Sequence, residues 1–212
     1  EDGWLDGPVA NTEAVPPEYD VVYRSVPERE TQTVPVDLLE FDPSYERLGD
    51  IAIVDEDDPE RARALADALL ASAIPVESVL NRASKIQGTE RVRDWDVLAG
   101  TETETVHREY GCSFAVDLAT VYFSPRLATE RHRVVEQVAE GEHAFGMFAG
   151  VGPFVIPAAT RGADVVGVDI NEDAVRYLRE NAKRNNVTDR VTAIHGDVRA
   201  ASADYEGWAD RI

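Results

Sequence analysis

Residues Phe145–Asp197 read FGMFAGVGPFVIPAATRGADVVGVDINEDAVRYLRENAKRNNVTDRVTAIHGD. The order is strand, glycine turn, helix, strand ending in an acid, helix, strand ending in an acid. Ala144–Ala149 predicts a strand running into Gly150-Val151-Gly152, and Pro153–Thr160 the helix behind it. Ala163–Val168 is a β-branched run without polar alternation, the pattern of a strand covered on both faces. Glu172–Asn185 carries Ala174, Val175, Leu178 and Ala182 at helical spacing, and Val191–Ile194 predicts the next strand. The stretch predicts an α/β fold built on a Rossmann-like parallel half-sheet.

Such a sheet places its ligand beyond the carboxyl ends of its strands. Gly150 and Gly152 fall there, and Asp169 and Asp197 close the next two strands. The bare glycines let backbone approach a ligand. Asp169, about 17 residues past Gly152, suits a carboxylate that accepts both hydroxyls of a ribose. Val155 stands where a dinucleotide motif has its third glycine. This argues against NAD and for a nucleoside ligand without a pyrophosphate, S-adenosylmethionine being the obvious candidate. A glycine turn in an ordinary α/β domain is the plainer alternative, and two acids on successive strand ends weigh against it.

Composition sets outer limits. The 212 residues suit one large or two small domains. Net charge is -20, and Lys85 and Lys183 are the only lysines. An acidic, lysine-poor surface reads as adaptation to high salt, where charge repulsion is screened. Cys112 is the sole cysteine, so no disulfide framework or thiolate metal site is expected, and a reducing compartment fits. Without an 18-residue apolar run or a basic leader, neither a membrane span nor a signal peptide is expected, and the protein is read as cytoplasmic. His107, His132, His143 and His195 lack ligand spacing, so no metal is expected, and no serine elbow or Cys/His pair suggests hydrolysis.

Glu1–Tyr19 is acidic, holds Pro8, Pro16 and Pro17, and is expected to be irregular. Strands are expected at Tyr19–Val26, Asp50–Asp55, Val76–Arg82, Arg91–Leu98, Glu104–Tyr110 and Ser113–Phe123, with an Ala/Leu-rich helix at Pro59–Ser72. This pattern makes a small α+β domain. The expected division is an acidic N-terminal segment at 1–48, the small domain at 49–123, and a linker helix with the Rossmann-like half at 124–212.

Ser124-Pro125 reads as N-cap and first helical position of a helix running to about Glu140 and stopped by Gly141. That helix would bring Glu130, Arg131 and Arg133 beside the glycine turn, although charges on a helix face are normally just solvated. From Arg82 to Arg133, however, basic and acidic residues balance, so the whole acidic excess lies elsewhere. A neutral, arginine-rich segment in so acidic a chain is a plausible place to meet phosphate or a flat base, with Arg93, Arg108 and Arg126 as candidate contacts.

Several segments resemble the archaeal and eukaryotic tRNA (guanine-N1)-methyltransferases that act at tRNA position 37. They are Gly88-Thr-Glu-Arg-Val-Arg93, Val106-His-Arg-Glu-Tyr-Gly111, Val121-Tyr-Phe-Ser-Pro-Arg-Leu127, Glu130-Arg131, Met147-Phe-Ala-Gly-Val-Gly-Pro-Phe154, Asp169-Ile-Asn171 and Gly196-Asp-Val-Arg199. The resemblance runs from about Asp50 to Ile212. It implies a class I methyltransferase fold preceded by a small α+β domain, with S-adenosylmethionine as methyl donor and the anticodon-loop guanine 37 of tRNA as acceptor. It implies that Arg91 holds the guanine and stabilises charge at its oxygen, and that Glu130 is the general base. It places Arg131, Phe148, Gly150, Gly152, Asp169, Ile170, Asp197 and Val198 around the cofactor. Guanine N1 is a poor nucleophile until it loses its proton, which gives a carboxylate a defined task. A cation at the base oxygen would stabilise the charge that then develops. A monomer that needs no metal is expected.

Two departures from the family pattern stand out. Gly146 occupies a place where the family usually has Asp, and the Asn-Pro-Pro or Asn-Leu-Pro motif expected after Ile212 is not in the sequence. The chain is therefore expected to be the N-terminal portion of a longer enzyme. Two other readings stay open: the wybutosine-pathway aminocarboxypropyl transferase, which uses the same cofactor, and a non-catalytic tRNA-binding relative.

Overall fold

Apolar strands bracketed by acidic turns build the first sheet. The computed structural model describes residues 32–212, so the expected Tyr19–Val26 strand and the Glu1–Tyr19 segment lie outside the described residues. β1 (Glu46–Leu48), β2 (Ile51–Val54), β3 (Ser78–Arg82) and β4 (Trp95–Ala99) lie side by side in that order; β2 and β3 are parallel and the outer pairs antiparallel. The parallel crossover is α1 (Pro59–Ala71). Asp58 starts it by accepting from the N–H groups of Glu60 at 2.9 Å and Arg61 at 3.3 Å, with Pro59 in the first turn. Leu65, Ala66 and Leu69 of α1 pack on Ala52, Val54 and Val79, while Ile51, Ile53 and Leu80 point to the opposite face and join a larger core.

β5 (Glu104–Glu109) and β6 (Cys112–Asp117) form an antiparallel ribbon. The parallel half follows: β7 (His143–Met147), α3 (Val155–Thr160), β8 (Asp164–Asp169), α4 (Glu172–Arg184) and β9 (Val191–His195), in the order β7-β8-β9, with a short α5 (Val198–Ala201). α4 has Asn171 as N-cap, acids in its first turn and Lys183 and Arg184 in its last, all favourable to the helix dipole. One buried cluster includes Leu48, Phe114, Val116, Val151, Ile156, Tyr177 and Leu178, so a continuous core extends from the small sheet to α4. Thr33–Ile212 forms one compact unit.

Three expected elements stop or start four or more residues inside their expected bounds, each for a structural reason. Arg91–Leu98 was expected to be a strand, yet β4 begins at Trp95; Arg91 has φ 58°, and Gln87 bridges Val92 to close a turn. Ser113–Phe123 stops at Asp117, whose carboxylate accepts from the Thr103 hydroxyl at 2.7 Å and the Ala119 N–H at 3.0 Å. The Ser124 helix opens as a 3-10 turn, Pro125–Leu127, without a side-chain cap, and α2 (Ala128–Val135) ends well before Glu140. Arg161 explains this stop. It donates to the carbonyls of Val138 at 2.9 Å and Glu136 at 3.2 Å, while Gln137 and Val138 bond back three residues.

Candidate functional site

The glycine turn follows the end of β7. Phe148 has φ 57°, a strained conformation for a non-glycine residue, and is 74 % exposed. Gly152, with φ 96°, is required for space as well as conformation: a Cβ there would lie 2.6 Å from Leu178 Cδ1 and 2.8 Å from Ile156 Cγ1. At Gly146 a Cβ would meet Val155 Cγ2 at 3.0 Å, so the missing Asp is replaced by close strand–helix packing.

Asp169 ends β8 as expected and already holds the turn. Its Oδ2 accepts from Gly150 N–H at 2.7 Å and its Oδ1 from Asn171 N–H at 2.9 Å. A carboxylate has about four lone-pair sites, so acceptor capacity remains for a ribose diol. Ile170 is 44 % exposed at the same strand end. Asp197 caps α5 and takes Arg199 in a pair, with donor distances of 2.9 and 3.1 Å; Arg199 holds its carboxyl below the ordinary range. Val198 is packed against the cluster of Phe145, Val166 and Val168 rather than displayed openly. The bare turn, the acid at the β8 end and the exposed apolar Phe148 and Ile170 fit a nucleoside.

A second region collects three of the expected residues. Arg91, Arg93 and Arg126 line a cavity of about 290 Å³ with Arg82, Trp95, Tyr122 and Phe123. The Arg91 guanidinium lies 5.7 Å from the Tyr122 ring centroid and that of Arg93 lies 5.3 Å from Trp95. Glu46 neutralises Arg82 and also takes Arg126 at 2.5 Å, and Asp55 takes Arg82 at 3.3 Å. Among the described residues Arg91 and Arg93 have no ion-pair partner, which leaves the unneutralised charge on those two. Burial and the neighbouring Arg82 lower the pKa of Arg93. Trp95 Nε1 donates to Leu118 O at 2.7 Å and fixes the wall. Sequence reasoning missed Glu46 and Asp55, which lie outside the neutral segment, and did not single out Arg82 within it; the aromatic residues among the arginines were the available signal for Trp95 and Tyr122.

The remaining candidates do not line this cavity. Arg108 is exposed on β5 and is not a cavity-lining residue. Glu130 is exposed on α2 and pairs with Arg133 at 2.6 and 2.8 Å, which holds its carboxyl below the ordinary range. Arg131, expected near the cofactor, is turned inward: it is 3 % exposed and forks onto Glu109 at 2.8 and 2.5 Å. Among the described residues no group of three or more His, Cys, Asp or Glu could hold a metal ion, and no helix is long and apolar enough to cross a membrane.

Residues 105–212 match the TRM5/TYW2 methyltransferase domain, and residues 28–103 match the TYW2 N-terminal domain. The tRNA (guanine(37)-N(1))-methyltransferase Trm5b of Pyrococcus abyssi is 43% identical over 97% of this chain and 62% of its own length. The chain belongs to the TRM5/TYW2 methyltransferase family. Among solved structures, the complex of aTrm5 and tRNALeu superposes with a TM-score of 0.69 at 37% identity, over 74% of this chain and 47% of that one. TYW2 of P. horikoshii in complex with MeSAdo gives 0.64 at 30% identity, over 77% and 58%. The chain thus spans less than two thirds of the length of each of these three relatives. Its parallel sheet and preceding small sheet are the TRM5/TYW2 arrangement of a Rossmann-like methyltransferase fold with an N-terminal domain.

Proposed function

We propose that this TRM5/TYW2 chain takes part in S-adenosylmethionine-dependent methylation of tRNA at N1 of guanine 37. The supporting observation is the cavity in which Arg91 and Arg93, each over an aromatic ring and, among the described residues, without a carboxylate partner, stand among paired charges. A flat, electron-rich base with an oxygen at one edge suits such a lining.

In this reading, residues 49–123, with Glu46 and the Ser124–Arg126 turn that complete the cavity, present the base-binding side, and the rest of residues 124–212 the cofactor side. S-adenosylmethionine, when bound, supplies an electrophilic methyl group. Asp169 accepts its ribose hydroxyls, the Gly150–Gly152 turn lies along it, and Phe148 and Ile170 cover its apolar face. Arg91 donates to the guanine oxygen as negative charge builds there. Glu130 takes the N1 proton, for which it must leave Arg133, and phosphate of the bound tRNA is a competing partner for that arginine. Arg93, Arg108 and Arg126 contact the tRNA backbone. The net charge of -20 supports a salt-adapted enzyme, and we read it as cytoplasmic and as a monomer that needs no metal.

The match of residues 28–103 to the TYW2 N-terminal domain favours a second reading, transfer of the aminocarboxypropyl group. Parallel assays with S-adenosylmethionine labelled in the methyl group or in the carboxypropyl chain separate the two. Methyl label in the tRNA supports methylation; label from the carboxypropyl chain establishes the second reading.

A further inference from the structure

The Glu109–Arg131 pair is not accounted for by the roles above. Both groups are buried, where desolvation offsets most of the attraction, and an apolar pair of similar volume could serve stability as well. Burial raises the Glu109 pKa, but Arg131 and His107 outweigh it and hold the carboxyl ionised below the ordinary range. The geometry gives the pair a task in positioning. Arg131 Nε and Nη2 donate to the two Glu109 oxygens at 2.8 and 2.5 Å, and its Nη1 donates to Ser124 O at 3.0 Å. Its guanidinium carbon lies 4.9 Å from the Phe123 centroid, and His107 meets the same ring edge-on at 5.4 Å. Phe123 and Ser124 are cavity-wall residues, and Glu130 directly precedes Arg131 on α2. A planar fork fixed at both carboxylate oxygens keeps little rotational freedom.

We propose that Glu109 is a positioning residue. Through Arg131 it fixes the Phe123–Ser124 wall of the cavity and the turn of α2 that carries Glu130, touching neither base nor cofactor. This rests on the methyl-transfer reading. The test replaces both charges at similar volume, Glu109→Leu with Arg131→Met, in the protein at its natural length.

The expected result is a Tm within about 5 °C of the parent, faster amide hydrogen exchange over residues 123–126, and kcat for tRNA methylation reduced about tenfold or more at unchanged KM for S-adenosylmethionine. Glu109→Asp keeps the charge, shortens the reach by one methylene, and should give a smaller kcat loss of the same kind; it decides the matter should the double variant not fold. Unchanged exchange over 123–126 with kcat within about twofold of the parent overturns the proposal. So does a loss confined to KM for S-adenosylmethionine, which would place Arg131 at the cofactor. A parent protein without methyl transfer refutes the methyl-transfer reading instead. The exchange measurement then decides the positioning alone, faster exchange supporting it and unchanged exchange overturning it.

Discussion

Asn181 completes both main-chain hydrogen bonds of Ala115: its Oδ1 accepts from the Ala115 N–H at 2.7 Å and its Nδ2 donates to Ala115 O at 3.1 Å. Asn185, one helical turn on, does the same for Ser113 at 2.8 and 2.7 Å. Two helix side chains thus stand in for a third strand along β6. Asn181 Nδ2 also donates to Val151 O in the glycine turn at 2.9 Å, linking the ribbon, α4 and the turn.

Asn181→Leu should therefore be costly although it is nearly isosteric. It leaves Ala115 N–H and O and Val151 O in a fully buried place without partners. A destabilisation of about 3 kcal/mol is expected, read from the midpoint of urea unfolding. A loss below about 0.5 kcal/mol would mean that water or a shifted backbone satisfies these groups.

Asp169→Ala should weaken S-adenosylmethionine binding about 10- to 100-fold, the value of a charge-assisted hydrogen-bond set. It also releases Gly150 N–H. Calorimetric titration is the check; unchanged affinity would remove Asp169 from the cofactor site.

The Glu130–Arg133 pair predicts a pH effect. Arg133 holds the Glu130 carboxyl below its ordinary value, so the base remains ionised to lower pH than an isolated carboxylate. Arg133→Met should raise that pKa and shift the acid limb of kcat/KM to higher pH. The shift should shrink in molar KCl, because the pair is exposed and screened. An acid limb unmoved at low salt would contradict the assignment, as would full turnover in Glu130→Gln.

Arg93 should act on affinity and Arg91 on rate. Arg93→Ala should weaken tRNA binding while reducing the slope of log K against log salt by about 1. Arg91→Ala should lower kcat about 100-fold or more, the loss expected for a donor at a developing oxyanion. Binding isotherms at several salt concentrations and single-turnover rates separate the two. Equal effects on both measures would refute the division.

The parallel half was readable in the sequence because its strands are buried on both faces and its helices carry apolar residues at regular spacing; β7, β8, α4 and β9 lie within two residues of their expected bounds. Asp169 was readable because a strand end fixes where its side chain must be. Arg131 was not: its inward turn depends on Glu109, 22 residues earlier on another element. The cavity was half readable, since Arg91, Arg93 and Arg126 lie in an evidently neutral segment. Glu46 reaches them only through the pairing of β1 with β2 and β2 with β3, which no local pattern announces.

The most direct test is methyl transfer from methyl-labelled S-adenosylmethionine to unmodified tRNA in molar KCl, with guanine or adenine at position 37, followed by nucleoside mass analysis. The account predicts label only in the guanine 37 tRNA, recovered as 1-methylguanosine. Equal labelling of both tRNAs, or a methylated nucleoside other than 1-methylguanosine, would contradict it.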